Sequence, residues 1–282
     1  MVLLRIVMSA RPRQRPLLSV VVPVLNERST VCKALTRILD KTLSNVDIEV
    51  VVVESNSTDG SREIVLGFQP HPRLRVILED RPQGKGFAVR KGLAAAQGDI
   101  ILIQDADLEY DIDDYDALLE PILAGRTAFV LGTRHAGGMH IRDFAGQRWM
   151  SLLYNVGHWM LTGLINVLFR ANLTDPFTMY KVFRSECIRR MNFGCNRFDF
   201  DCELVCKLLR NGYSPVEIPV KYSSRSFADG KKVRTFRDPP TWIRAIIRCR
   251  IQPRLERAPL SPFVPAQQEP EKWTSANADS FR

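Results

Sequence analysis

The hydrophobic pattern of the first half of the chain consists of short runs rich in Val, Ile and Leu, separated by longer stretches with helical spacing. Continuous apolar runs of this length are typical of strands buried on both faces of a parallel sheet. Five such strands are predicted, about 25 residues apart, so that each interval has room for one helix. They are residues 17–25, 48–55, 74–80, 99–107 and 128–134.

The intervals carry helical patterns. One runs from Ser29 to about Leu43, another follows Gly84-Lys85-Gly86, and a third covers about Tyr115–Leu123. Strands that alternate with helices indicate βαβ units, and therefore an α/β protein with a Rossmann-like, mostly parallel sheet and flanking helices. Ligands of such sheets bind beyond the carboxyl ends of the strands. The functional residues are therefore sought in the segments that follow those ends.

A long helical pattern replaces the alternation after residue 134. Residues 149–169 contain no Asp, Glu, Lys or Arg, and this run of 21 residues is long enough to cross a bilayer. A polar stripe along one helical face favours an amphipathic helix on a membrane surface or in the wall of a groove. A core helix and a membrane span are the alternatives. The stripe is Ser151, Asn155, His158, Thr162 and Asn166.

The last third of the chain predicts shorter elements. We expect a turn at Thr174-Asp175-Pro176, a helix near Glu203–Arg210, a strand at Val216–Tyr222 and a basic amphipathic segment at 241–250. The chain is thus divided into a flexible basic arm (1–16), an α/β domain (17–240), a basic amphipathic extension (241–257) and a tail whose composition is typical of disorder (258–282).

The formal net charge of +9 is unevenly distributed. Residues 1–16 hold four arginines and no acid, and residues 221–257 hold eleven basic residues against three acidic ones. Such segregation indicates a polyanionic partner such as nucleotide phosphate, lipid phosphate or an anionic membrane, whereas a solvated basic face is the alternative. No recognised nucleic-acid-binding module accompanies the charge, so we expect no nucleic-acid partner.

The cysteines and the termini indicate the compartment. The six cysteines form no CxxC pair, and no histidines lie nearby at zinc spacing, which fits a reducing cytosol. The N-terminal apolar run is too short for a secretory signal. No C-terminal pair of transmembrane segments is expected, so the prediction is a cytoplasmic protein bound peripherally to the inner face of the cell membrane.

Three carboxylates follow the apolar part of the predicted fourth strand. In an extended segment Asp105, Asp107 and Glu109 would point to the same side. Clustered carboxylates repel one another unless a cation neutralises them, and oxygen ligands with open positions suit Mg²⁺ or Mn²⁺ bridging a diphosphate. A solvated acidic loop is the alternative.

Several cations follow the carboxyl ends of the predicted strands, where phosphates would bind. Lys85 precedes a predicted helix whose first amides favour anions, and Arg134 ends the predicted fifth strand. Arg225, Lys231 and Lys232 belong to a loop rich in Ser and Gly. Taken alone, each is more typical of a surface cation than of a ligand, but their shared expected location groups them as phosphate ligands.

Six segments occur in an order that resembles the family 2 inverting glycosyltransferases of GT-A fold. The resemblance covers about residues 18–235, and the nearest branch resembles the dolichol- and polyprenyl-phosphate sugar synthases. The segments are Val22-Pro23-Val24-Leu25-Asn26-Glu27, Glu54-Ser55-Asn56-Ser57-Thr58-Asp59-Gly60, Gly84-Lys85-Gly86, Asp105-Ala106-Asp107-Leu108-Glu109, Gly132-Thr133-Arg134 and Arg225 with Gly230-Lys231-Lys232.

The resemblance implies a role for each matching residue. The donor nucleotide would contact Pro23, Asn26, Glu27, Glu54, Lys85, Asp105 and Ala106, although the family usually has Asp at the position of Glu54. The metal would be held by Asp105, Asp107 and Glu109. Donor or acceptor phosphate would contact Arg134, Arg225 and Lys231, with Asp175 and Glu203 on the acceptor side. The catalytic set would be Asp107, Arg134, Arg225 and Glu203.

The predicted activity is inverting transfer of a hexose from a GDP- or UDP-linked donor to a polyprenyl phosphate. Transfer to a sugar or polysaccharide hydroxyl in cell-envelope synthesis is the rival, and it would require Asp201 or Glu203 as a general base. A nucleotidyltransferase, which also needs paired Asp and phosphate-binding cations, and a nucleotide-binding protein without transfer chemistry are the alternatives from other classes.

Overall fold

The computed structural model describes residues 15–134, 148–224, 238–257, 259–261 and 263. Its strands are β1 (Leu17–Val24), β2 (Asp47–Glu54), β3 (Leu74–Leu78), β4 (Ile100–Ile103), β5 (Phe129–Thr133), β6 (Lys181–Arg184) and β7 (Val216–Pro219). Its α-helices are α1 (Val31–Asp40), α2 (Ser61–Gly67), α3 (Lys85–Ala95), α4 (Tyr115–Leu123), α5 (Arg148–Phe169), α6 (Asp199–Arg210) and α7 (Asp238–Ile251).

The strands form one sheet of seven in the order β3-β2-β1-β4-β6-β5-β7. β1 lies between β2 and β4 and is parallel to both, so that Val20 pairs with Val50 on one side and Leu102 on the other. All three side chains are fully buried, as expected for strands covered on both faces. The predicted α/β fold with a mostly parallel sheet is confirmed.

One strand runs against the others. β6 is antiparallel to both β4 and β5, and its Val182 pairs with Leu102 and with Val130. The hydrophobic pattern did not predict β6. The antiparallel direction brings the start of β6, at Lys181, to the edge where the parallel strands end, so that this edge gains a buried cation.

Helix α5 is amphipathic, as predicted, with its polar stripe turned inward. Asn155 and Thr162 are buried, whereas Met160 and Val167 are 71% and 78% exposed. Among the residues that the structure describes, no helix is long and apolar enough to cross a membrane. Over the residues whose side chains the structure describes, α5 therefore has one buried side and one exposed side.

Several predictions concern parts of the chain outside the described residues. These are most of the basic arm, nearly all of the tail, and the cations Arg225, Lys231 and Lys232.

Candidate active site

The loops that follow β1 and β2 are joined by hydrogen bonds at the carboxyl edge of the sheet. The amide of Asn26 donates to Ser57 Oγ over 2.9 Å, and the amide of Thr58 donates to Asn26 Oδ1 over 2.9 Å. Asn26 adopts a φ of 52°, which Asn tolerates better than most residues. This joined rim leaves Asn26 exposed, with Pro23 and Glu27 half-buried beside it.

Glu54 ends β2, and its carboxylate turns into its own loop. It is fully buried and accepts hydrogen bonds from the amides of Asn56 (3.2 Å) and Ser57 (2.6 Å) and from the Arg62 side chain. Burial raises the pKa of Glu54, but the bonds from Ser57 and Arg62 outweigh that effect and lower it. Glu54 therefore shapes the rim, because its carboxylate is occupied by the loop itself.

Lys85 is the first residue of α3 and forms an ion pair at the end of β4. Its Nζ donates to Asp105 Oδ2 over 2.7 Å and lies 2.9 Å from Met179 Sδ. The ring of Phe198 lies 5.8 Å from the same ammonium. The residue types that the sequence analysis grouped here, a cation and an acidic loop, are thus in direct contact.

The glycines on either side of Lys85 allow a neighbouring segment to approach closely. Gly84 has a φ of 110°, and a side chain there would collide with the carbonyl oxygen of Asn196. A Cβ on Gly86 would lie 2.8 Å from the carbonyl oxygen of Arg197. The amide of Phe87 donates to the same Asn196 oxygen over 3.0 Å. The segment before α6 therefore packs directly against the turn that carries Lys85.

A second lysine–aspartate pair adjoins the first. Lys181 is fully buried, and its Nζ lies 3.2 Å from Asp201 Oδ1. Burial raises the pKa of Asp105, Lys85 opposes this effect, and the charges of Asp201 and Glu109 raise the pKa further. Three carboxylates thus interact around one exposed edge, and an additional cation would relieve their repulsion.

The acidic segment after β4 is a turn, which corrects the expectation of an extended strand through residue 107. β4 ends at Ile103, buried Ala106 and half-buried Asp107 lie in the turn, and Leu108 follows with a φ of 60°. The amide of Glu109 donates to Asp107 Oδ1 over 3.1 Å. The argument that alternation places all three carboxylates on one side is therefore wrong.

Two of the three carboxylates also have different hydrogen-bond partners. Asp105 is held by Lys85, and Glu109 Oε2 accepts from the hydroxyl of Tyr222 over 3.0 Å. Among the described residues, no group of three or more His, Cys, Asp or Glu side chains is arranged to hold a metal ion. A cage made by the protein alone does not fit here, whereas a metal shared between one or two carboxylates and a diphosphate does.

Arg134 and Asp175, expected as separate phosphate-side residues, form one ion pair. Arg134 Nε and Nη2 donate to the two carboxylate oxygens of Asp175, each over 2.7 Å, and the Arg134 amide donates over 3.1 Å. The guanidinium side chain is only 3% exposed. Burial opposes it, but the pairing raises the pKa of Arg134 and lowers that of Asp175. In this structure the two groups bind each other, and the contact of Arg134 with a phosphate stays a prediction.

Comparison with known proteins now decides the family. Residues 19–191, more than half of the chain, match the sequence model of glycosyl transferase family 2. The chain belongs to this family. The predicted resemblance is thereby confirmed.

Two curated relatives transfer sugars to lipid phosphates according to their names. A dolichyl-phosphate β-glucosyltransferase of Trichomonas vaginalis is 28% identical over 227 residues, covering 72% of this chain and 63% of that protein. A dolichol-phosphate mannosyltransferase of Pyrococcus furiosus is 27% identical over 214 residues, covering 76% and 58%. This family 2 chain thus spans less than two thirds of the length of these relatives.

The fold is that of known glycosyltransferase structures. A glucosyl-3-phosphoglycerate synthase of Mycobacterium tuberculosis, solved with Mn²⁺, UDP and glucosyl-3-phosphoglycerate, superposes with a TM-score of 0.56 at 18% identity. The match covers 84% of this chain and 81% of that one. At this identity the likeness concerns the fold alone, and it confirms the GT-A architecture predicted for the family 2 chain.

Glu203 does not have the surroundings expected of an acceptor-side catalyst. It is fully buried and accepts from the amides of Gly194 (3.0 Å) and Cys195 (2.8 Å). Lys207 Nζ and Arg248 Nη2 each lie 3.0 Å from its Oε1. Burial raises the pKa of Glu203, and these donors outweigh burial and lower it. The carboxylate therefore ties α7 and the segment before α6 to α6, and its catalytic role stays a prediction.

Glu203→Gln is expected to lower the free energy of unfolding by about 3 kcal/mol, because it removes the buried counter-charge of Lys207. Urea unfolding measures this loss. Glu256→Gln, at an exposed position, is the control and should stay within about 0.5 kcal/mol of the wild type. Unchanged stability together with a thousandfold loss of kcat would restore Glu203 as a catalyst.

The segment that follows β7 contacts the acidic turn shortly before residue 225, where the described residues are interrupted. The amide of Ser223 donates to the Glu109 carbonyl over 2.8 Å, and Tyr110 pairs with Tyr222. The guanidinium carbon of Arg134 lies 5.3 Å from the centre of the Tyr222 ring. Arg225 and Lys231, expected as phosphate ligands, lie outside the described residues.

Two contacts of the site were not predicted from the sequence. Lys181 had one visible signal, because it lies directly before the apolar residues Val182 and Phe183 and could therefore be buried with them. A buried lysine needs a counter-charge, which is Asp201 in the structure. Met179, which contacts Lys85, had none, because a methionine is ordinarily read as core packing.

Proposed function

We propose that this family 2 glycosyltransferase moves a hexose, with inversion, from a GDP- or UDP-linked donor to a polyprenyl phosphate at the inner face of the cell membrane. The observation that carries the proposal is the pair of adjoining ion pairs, Lys85–Asp105 and Lys181–Asp201, at the carboxyl edge of a GT-A sheet. The names of the two curated relatives support the class of acceptor.

The nucleoside would lie on the rim formed by Pro23, Asn26 and Glu27, and the diphosphate would approach Lys85. Lys85 has a side chain only 18% exposed, and the first amides of α3 favour an anion beside it. A charge-assisted bond from such an ammonium to phosphate is about twice as strong as a neutral one. Lys85 would then exchange part of its contact with Asp105 for the donor.

Asp107 would hold a Mg²⁺ or Mn²⁺ ion together with the donor diphosphate, and Asp105 or Glu109 would be the second ligand from the protein. When bound, the metal supplies neutralisation of the negative charge that develops on the leaving nucleoside diphosphate. Asp105 interacts with the carboxylates of Asp201 and Glu109, and a cation bound here would relieve the repulsion between them.

The acceptor phosphate would bring its own nucleophile. A phosphate monoester has a second pKa near 6, so its oxygen is already anionic at neutral pH and needs no general base. Cations that hold it are sought in Arg225 and Lys231, since Arg134 is committed to Asp175. A hydroxyl acceptor would need a base, and Asp201 is the candidate carboxylate among the described residues because it adjoins the Lys85–Asp105 pair.

The acceptor class is tested with Asp201→Asn, assayed by nucleoside diphosphate release at saturating donor. With a short-chain polyprenyl phosphate we expect a loss in kcat of less than about tenfold, whereas base catalysis typically contributes about 10²- to 10⁴-fold. Asp199→Asn, at the start of the same helix, is the matched control.

Rates are expressed per folded protein, measured from the amplitude of the cooperative melting transition, because freeing Lys181 can lower the folded fraction. A thousandfold loss with the phosphate acceptor, in protein that still melts cooperatively, would overturn the proposal in favour of a hydroxyl.

A further inference from the structure

The exposed face of α7 consists of isoleucines and arginines. Ile243, Ile247 and Ile251 are 41%, 48% and 76% exposed, and Arg244 and Arg250 are exposed between them. These positions recur every three or four residues, so they form one stripe along the helix. The opposite side of α7, which includes buried Ala245, Ile246 and Cys249, packs against the core.

The neighbouring helix α5 carries a second exposed stripe that is purely apolar. Leu152, Val156, Met160 and Val167 follow each other at helical spacing and are all exposed. The inner side of α5 faces the candidate acceptor side, because His158 Nε2 lies 3.1 Å from the carbonyl oxygen of Thr174.

Helices α5 and α7 contact each other, and aromatic side chains link them. The ring of His158 lies 5.4 Å from that of Phe177, which lies 5.9 Å from that of Trp242 on α7. The two stripes therefore belong to one connected part of the molecule. We call them the helix platform, made of Leu152, Val156, Met160, Val167, Ile243, Arg244, Ile247, Arg250 and Ile251.

We infer that the helix platform docks on the surface of an anionic lipid bilayer, with the isoleucines and the α5 stripe entering the headgroup boundary. The inference rests on the proposed function and deepens it, because it names the surface that meets the lipid acceptor. It extends the expectation for α5 to α7, whose own chemistry decides the occupant.

The composition of the α7 stripe favours a bilayer over a protein partner or nucleic acid. A helix with an apolar face laced with Lys or Arg is typical of elements that lie in the membrane interface. The core of a protein interface is depleted of charge, and nucleic acid is bound mainly through its phosphates, which isoleucine side chains do not contact favourably. The arginines alternate with apolar residues without a single acid on the stripe, which complements anionic headgroups.

Co-sedimentation of the full chain with vesicles tests the inference. The probes are phosphatidylcholine vesicles with and without phosphatidylglycerol. We expect Ile247→Asp/Ile251→Asp and Val156→Asp/Met160→Asp each to weaken binding at least about tenfold on anionic vesicles. Arg244→Gln/Arg250→Gln should weaken it by about fivefold per arginine, and this effect should disappear in high salt.

Leu78→Asp, at a 45% exposed position on the far edge strand β3, is the matched control and should bind like the wild type. The inference would be overturned if the α5 and α7 variants bound anionic vesicles as strongly as the wild type, or if the wild type did not bind them. A change of oligomeric state in the α7 variants with unchanged vesicle binding would also overturn it, since the stripe would then join two copies of the chain.

Assays with a short-chain, water-soluble polyprenyl phosphate separate this inference from the proposed function. We expect all platform variants to retain wild-type kcat in that assay, because none of the changed residues belongs to the candidate active site. Vesicle binding that depends on the platform, in a protein that transfers no sugar to lipid phosphate, would sink the proposed function alone. Transfer without platform-dependent binding would sink the inference alone.

Discussion

Asp107→Asn is expected to lower kcat about 10²- to 10³-fold while leaving the fold intact, because it removes a charge that stabilises the leaving diphosphate through the metal. The side chain is half-buried in the turn after β4, and an Asn oxygen can still accept the hydrogen bond that Asp107 Oδ1 accepts from the amide of Glu109. The loss therefore concerns charge rather than packing.

The matched control for this variant is Asp47→Asn, an exposed carboxylate at the start of β2 on the opposite edge of the sheet, which should keep wild-type kcat. Calorimetry of a nucleoside diphosphate with and without Mn²⁺ supplies the binding side of the test. Equal affinity in the two conditions for the wild type would remove the metal from the mechanism.

Arg134→Met is expected to lower the free energy of unfolding by about 3–5 kcal/mol, because it leaves Asp175 fully buried without its counter-charge. Asp175→Leu should cost a similar amount by stranding the guanidinium. The double variant should recover part of the loss, since a buried pair replaced by apolar residues is often close to neutral. Urea unfolding of the four proteins gives the coupling between the two residues.

The chain offers a surface ion pair for comparison. Arg126 and Glu120 are paired, but their side chains are 59% and 58% exposed, so the same replacements there should change stability by less than about 1 kcal/mol. If Arg134→Met were as mild as Arg126→Met and instead raised the acceptor KM, Arg134 would be a phosphate ligand rather than half of a buried pair.

The strands of the fold could be predicted because their signal is local. The valine-rich strands β1 and β2 are buried along most of their length, and they pair in register over eight residues. α5 was similarly visible, because its polar stripe keeps helical spacing over 16 residues from Ser151 to Asn166. Periodicity needs only neighbours in the sequence, so these elements required no knowledge of the tertiary structure.

β6 and the end of β4 were not predictable in the same way. β6 is only four residues long, and two of them are the buried cations Lys181 and Arg184, which disguise its apolar pattern. β4 ends four residues before its predicted end because the chain turns at Ala106 and Asp107. Leu108 in this turn adopts a positive φ, which the sequence did not indicate because the residue is neither Gly nor Asn.

The sequence indicated candidate residues for the site but not the pairs that they form. Lys85 and Asp105 were both selected from the sequence, although their 2.7 Å contact depends on two loops 20 residues apart. Arg134 and Asp175 are 41 residues apart, and Arg248, which reaches Glu203, is 45 residues away. Local patterns carry no information on such pairs, so the sequence could not show that Lys207 and Arg248 surround Glu203.

The central claim, sugar transfer to a lipid phosphate, is tested most directly by identifying the product. The chain is incubated with a GDP- or UDP-linked hexose, Mg²⁺ and a short-chain polyprenyl phosphate, and the phosphorus resonances are followed. We expect nucleoside diphosphate to appear while the acceptor's phosphomonoester signal is replaced by that of a phosphodiester whose sugar has inverted anomeric configuration. Release of nucleoside monophosphate, or glycosylation of a glycan hydroxyl while the lipid phosphomonoester stays unchanged, would contradict it.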